Sequence, residues 1–224
     1  MSTKNQEILD LYKSKVMPTY TPSVVIASGK GITVRDVDGH AYYDFTSGIG
    51  VQNVGYGNKK VVEAIQNQAA QLTHCSNLYV NVPMTQLAAK LVEISGLGGK
   101  AFFCNSGAEA NECAIKVARK YSFDKYGEGR GTIITLKNSF HGRTITTLAA
   151  TGQESFHTLY TPLTEGFVST KANDLDAFIK LAKSTKCAGI MLETVQGEGG
   201  VNVLDFDFVK GVEKYAKEND ISKK

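Results

Sequence analysis

Cysteine is scarce in these 224 residues and follows no pattern. The four thiols (Cys75, Cys104, Cys113 and Cys187) include no C-x-x-C pair. That excludes a zinc-finger or disulfide framework and leaves free buried thiols in a reducing compartment as the expectation. No apolar run approaches the roughly 18 residues that a bilayer-spanning helix needs, so no membrane is expected as a partner. An excess of either charge is lacking too. There are 25 basic and 22 acidic residues, a formal balance of +3, too small to argue for nucleic acid. The opening MSTKNQEILDLYKSKV is polar and carries acids. It has no signal-peptide core or cleavage pattern, and a cytoplasmic location is expected. Neither G-x-x-x-x-G-K-[ST] nor G-x-G-x-x-G occurs, which removes the nucleotide P-loop and the dinucleotide fingerprint. Internal repeats, low-complexity tracts and obvious linkers are also missing.

What is present can build a core: 42% of residues are hydrophobic and 21% charged. Residues 31–45, GITVRDVDGHAYYDF, alternate apolar and polar positions around Asp38-Gly39, which predicts a hairpin. Asn58 can cap a helix with Val61, Ile65, Gln68, Ala69 and Leu72 on one face; a second, after Pro83, turns Leu87, Leu91 and Ile94 inward. From residue 100 the rhythm is strand, loop, helix. Strands are predicted at Ala101–Phe103, Thr132–Leu136 and Gly189–Leu192. Helices follow over 108–121, from Thr144, after Asn173-Asp174, and around Phe208, Val212, Tyr215 and Ala216. Short apolar strands alternating with amphipathic helices predict an α/β fold, a mainly parallel sheet covered on both faces. The first ~45 residues form a different substructure.

Ligands of such sheets sit at the carboxyl ends of the strands. Three loops leave those ends and should converge. In CNSGAEAN, Ser106 and Glu109 fit a capping box, and Gly107 and Ala108 keep side chains away from a helix start that suits a phosphate. The competing reading is an ordinary capped helix. In NSFHGRT, Phe140 can stack on a flat heterocycle or simply pack, and Arg143 can fork onto a carboxylate or make a surface ion pair. His141 can be a base or a packing residue. In ETVQGEGG, Glu193 and Glu198 are two carboxylates five residues apart, compatible with glycoside hydrolysis or with a tight loop beside a cofactor.

Taken in order, DFTSGIGVQNVGYG, THCSNLYVN, FFCNSGAEANECAIKVAR, NSFHGRTITTLAATGQESFH and ETVQGEGGVNV make the chain resemble the class III, ornithine-type aminotransferases. The resemblance covers almost the whole chain and is strongest to the acetylornithine branch. It implies the type I fold of pyridoxal 5′-phosphate transferases. Residues 1–45 would belong to the small domain and 46–224 to an incomplete cofactor-binding large domain, with the C-terminal part absent. It implies that Ser106, Gly107 and Ala108 hold the cofactor phosphate, that Phe140 lies against the ring, and that Glu193 sits near it. Arg143 would bind the substrate α-carboxylate, with Glu198 near the substrate side chain and Tyr20 bordering the pocket. Ile49 stands where ornithine δ-aminotransferases carry Tyr, which favours the acetylated donor. The implied reaction passes an amino group from N-acetylornithine to 2-oxoglutarate, giving glutamate, in arginine biosynthesis, by a homodimer.

The sequence departs from the family in three ways. Gly55-Tyr56-Gly57-Asn58-Lys59 replaces the usual G-H-x-H-P, and Thr194 replaces a usual Pro. The chain reaches Lys224 before the family's ring-pairing Asp, its Gln and its Schiff-base Lys, so no catalytic lysine is assigned and the chain alone is expected to be inactive. The alternatives are another class III specificity (succinylornithine, ornithine or 4-aminobutyrate) and a non-catalytic fragment that binds phosphate or dimerises.

Overall fold

A strand exists only as half of a ladder, so pairing decides which predicted strands form. In the computed structural model, which describes residues 3–223, the chain divides into two units, Met1–Lys90 and Leu91–Lys224.

In the first unit, α1 (Thr3–Lys15) precedes an antiparallel sheet of β1 (Ile26–Lys30), β2 (Thr33–Asp36) and β3 (Ala41–Tyr43), in that order. The predicted hairpin is β2–β3, with Val34 opposite Tyr42. The Asp36 carboxylate organises its turn, accepting from the backbone N–H of Asp38 at 3.0 Å and of His40 at 2.9 Å and from the Tyr42 hydroxyl at 2.9 Å. The extra strand β1 was not expected; its I-A-S-G-K run lacks alternation. A short left-handed turn, α2 (Ser47–Gly50), follows, with positive φ at Ile49. Then comes α3 (Lys59–Gln71), where Asn58 Oδ1 accepts from Lys60 N at 3.1 Å, as the capping expectation requires. The next helix is α4 (Val82–Ser95). The inward face expected of α4 is corrected. Leu87 is 50% exposed, and Ile65 on the apolar face of α3 is 63% exposed, because a stripe fixes which face is apolar and not what covers it.

The second unit carries a parallel sheet, ordered β5-β4-β6-β9, from β4 (Thr132–Leu136), β5 (Phe167–Thr170), β6 (Cys187–Ile190) and β9 (Ser222–Lys223). Ile133 points to one face, with Ile115 and Ala118 of α5 (Gly107–Tyr126) and Ala150 of α6 (Ile145–Ala150). Ile134 and Leu136 point to the other, with Phe178 and Ala182 of α7 (Leu175–Ser184) and Phe208, Val212 and Ala216 of α8 (Phe206–Glu218). This alternation along β4 gives helices on both faces, as expected. Phe178, fully buried, meets Phe208 and Tyr215 edge-on at 6.4 and 6.0 Å. A small hairpin pairs β7 (Val195–Gln196) with β8 (Asn202–Val203). The strand expected at Ala101–Phe103 does not form: among the described residues nothing pairs with it, and Phe102 is 62% exposed. The strand expected at Gly189–Leu192 lies two residues earlier.

Candidate active site

The start of α5 is built by a reciprocal cap. Ser106 is extended (φ −153°, ψ 160°), and its Oγ accepts from Glu109 N at 3.2 Å. Glu109 Oε2 in return accepts from Asn105 N at 2.7 Å, one residue earlier than the usual box. That bond, with a second from the Asn105 side chain, holds the Glu109 carboxyl below the usual carboxylate range. A methyl built on Gly107 meets nothing within 4 Å, so the space before the helix start is open. Unpaired N–H groups and the positive dipole end face it.

The second loop is pressed against that helix start. Gly142 has φ +129°, and a Cβ there would lie 2.8 Å from Ala108 Cβ and 2.6 Å from Thr147 Oγ1. Only glycine permits this approach. Phe140 N donates to Glu193 Oε2 at 2.9 Å, which brings in the third loop. Gln153 Nε2 donates to Glu198 Oε2 at 2.6 Å, and buried Gln196 donates to the Lys137 carbonyl at 2.9 Å. Gly199 closes the seam, since a Cβ on it would fall 2.3 Å from the Asn138 carbonyl oxygen. The Arg143 guanidinium sits 5.5 Å from the Phe140 ring centroid and 5.9 Å from that of Phe156, and the two rings meet edge-on at 5.9 Å. His141 is buried, and its backbone N–H donates to Thr151 Oγ1 at 3.0 Å.

Seven of the eight residues singled out from sequence therefore lie on three adjoining loops at one end of the sheet: Ser106, Gly107, Ala108, Phe140, Arg143, Glu193 and Glu198. Tyr20 belongs to the first unit and is 63% exposed, in the segment between α1 and β1. Sequence reading passed over Asn111, Glu112, Gln153 and Phe156. For the first two a signal existed, because they stand three and four residues after Ala108, on its face of the helix. Chemically, the arrangement joins an open helix start with its positive dipole end, an aromatic face, a carboxylate and a guanidinium.

Comparison with known proteins gives this geometry a family. Residues 15–222 match the family described as Aminotransferase class-III. The chain belongs to the class-III aminotransferases. It is 50% identical over 219 residues to the acetylornithine aminotransferase of Haemophilus ducreyi, covering 97% of this chain and 55% of that protein. It is 52% identical over 198 residues to that of Methanocaldococcus jannaschii, covering 88% and 49%. Among solved structures, the ornithine aminotransferase of Toxoplasma gondii superposes with a TM-score of 0.92 at 28% identity, over all of this chain and 53% of that one. The N-acetylornithine aminotransferase of Stenotrophomonas maltophilia gives 0.79 at 31%, covering 96% and 52%. This class-III aminotransferase chain thus spans about half the length of the relatives it matches.

Proposed function

We propose that this chain supplies the pyridoxal 5′-phosphate-binding part of an aminotransferase acting on N-acetylornithine and 2-oxoglutarate. The observation that carries the reading is the convergence of an open helix start, an aromatic side chain and a guanidinium on one loop cluster. The donor set suits the cofactor. Gly107 and Ala108 N–H groups and the Ser106 cap would hold its phosphate, and Phe140 would lie against its ring. Glu193, fixed by the Phe140 N–H, would sit beside the ring. When bound, pyridoxal 5′-phosphate supplies an electron sink for the carbon that bears the transferred amino group, the δ-carbon of N-acetylornithine and the α-carbon of glutamate. Arg143 would orient the α-carboxylate of each amino acid or oxo acid through paired hydrogen bonds. Glu198, held by Gln153, would face the side chain of the donor. The names of the relatives and Ile49 support the acetylated donor. Residues 1–45 as a small-domain segment, 46–224 as large domain, a homodimer and a cytoplasmic setting belong to the same reading.

Isothermal titration with 4′-deoxypyridoxine 5′-phosphate, which has no aldehyde to label surface lysines, tests the cofactor assignment. One saturable site is expected, with binding lost when the phosphate is removed from the ligand. Equal affinity for the dephosphorylated compound overturns the reading.

A further inference from the structure

We propose that Asn111 and Glu112 are positioning residues that clamp the Arg143 loop onto the first turns of α5. The clamp fixes the spacing between the phosphate end and the carboxylate end of the site. It rests on the roles proposed above for the α5 start and Arg143.

Ala108, Asn111 and Glu112 stand at i, i+3 and i+4 and share one helical face. Each meets a different residue of the loop. Ala108 abuts Gly142. Asn111 Nδ2 donates to the His141 carbonyl at 2.6 Å. Glu112 Oε1 accepts from Thr144 Oγ1 at 2.5 Å. Arg143 therefore lies between held neighbours, His141 and Gly142 before it and Thr144 after it, and its Cα has a set position relative to Gly107 and Ala108. The far ends of the loop are tied too. His141 N donates to Thr151 Oγ1, and Thr144 caps α6 in a reciprocal box with Thr147. A slide of the loop along α5 would break the Asn111 and Glu112 bonds together.

The ligand this spacing would serve has two anionic heads, a phosphate on a flat ring and an α-carboxylate joined to that ring. The second head adds affinity only if its partner already stands at the right distance. Without the clamp, the guanidinium would have to be placed at the moment of binding.

The test compares 4′-deoxypyridoxine 5′-phosphate with N-(5′-phosphopyridoxyl)-L-glutamate, a stable conjugate carrying both heads, by calorimetry on the 224-residue chain. For the unchanged chain the conjugate should bind on the order of tenfold tighter, the worth of a charge-assisted pair. Arg143→Ala should remove that gain. Asn111→Ala and Asn111→Asp, which both lose the donor, should cut the gain at least threefold and leave the single-headed ligand within twofold. Glu112→Gln keeps an acceptor for Thr144 and should retain the gain. Full gain in both Asn111 variants while Arg143→Ala loses it overturns the clamp, as does an equal loss for both ligands. If the single-headed ligand fails to bind the unchanged chain, the site assignment itself falls. Hydrogen exchange over residues 139–147 of the free chain then decides the clamp: acceleration in Asn111→Ala supports it, and unchanged exchange overturns it.

Discussion

Replacing Gly142 by Ala tests the seam between α5 and the second loop. The added Cβ would lie 2.6 Å from Thr147 Oγ1, 2.8 Å from Ala108 Cβ and 3.1 Å from Ala108 Cα. Two of these atoms belong to a helix start and cannot swing aside. Overpacking of this kind costs about 1–3 kcal/mol. The φ of +129° costs an L-residue about 1–3 kcal/mol more. The sum is about 4 kcal/mol, which for a chain of this size lowers Tm by roughly 8–16 °C. Thermal melts followed by circular dichroism read it. The double variant Ala108→Gly/Gly142→Ala relieves the Ala108 Cβ contact and should recover roughly 1–2 kcal/mol of the steric cost, leaving the φ cost in place. Gly107→Ala is the control. Its methyl meets nothing within 4 Å, so its melt should stay within about 1 kcal/mol of the unchanged chain. A Gly142→Ala melt within about 2 °C of the unchanged chain refutes the account of how these segments meet.

Phe178→Ala empties the fully buried ring position between α7 and α8 and should cost about 3–5 kcal/mol in a denaturant titration. Acid should weaken the chain in a defined window. Burial acts to raise the Asp36 carboxyl, but bonds from Tyr42, His40 and the Asp38 and His40 N–H groups outweigh it and hold it at about 2. Asp220 is also held at about 2, by Lys125 at 2.8 Å and by the Tyr126 and Tyr121 hydroxyls. Both lie below the ordinary carboxyl value of about 3.9. Their stabilisation is thus complete above about pH 4 and lost as pH falls through 2. Urea midpoints between pH 5 and 2 should fall less steeply in Asp36→Asn and Asp220→Asn.

Legibility in the sequence followed how local each cause was. The α5 start was readable because Ser106 and Glu109 carry their own capping chemistry. The strand at Thr132–Leu136 was readable because its faces are largely buried, leaving a short β-branched and mostly apolar run. Asp174 and Asn58 announced α7 and α3 through their side chains. The failures are non-local. Ala101–Phe103 has strand composition but no described partner, whereas Phe167–Thr170, with its polar Ser and Thr, became a strand because β4 lies beside it. The rule about strand ends accounts for the second and third loops, which follow β4 and β6, but not for the first, which follows no strand among the described residues. What holds them together, Gly142 on Ala108, Asn111 on His141 and Gln153 on Glu198, joins residues 30 to 45 apart in sequence or in different loops, where no spacing rule applies.

The central claim is that the start of α5 and the Phe140 loop hold one phosphorylated ring. Amide NMR of the 224-residue chain titrated with 4′-deoxypyridoxine 5′-phosphate addresses it residue by residue. The account predicts that the Gly107 and Ala108 amides shift downfield as the phosphate binds, with the Phe140 ring protons moving in step. Saturating ligand that shifts other residues and leaves Gly107, Ala108 and Phe140 unmoved would contradict it.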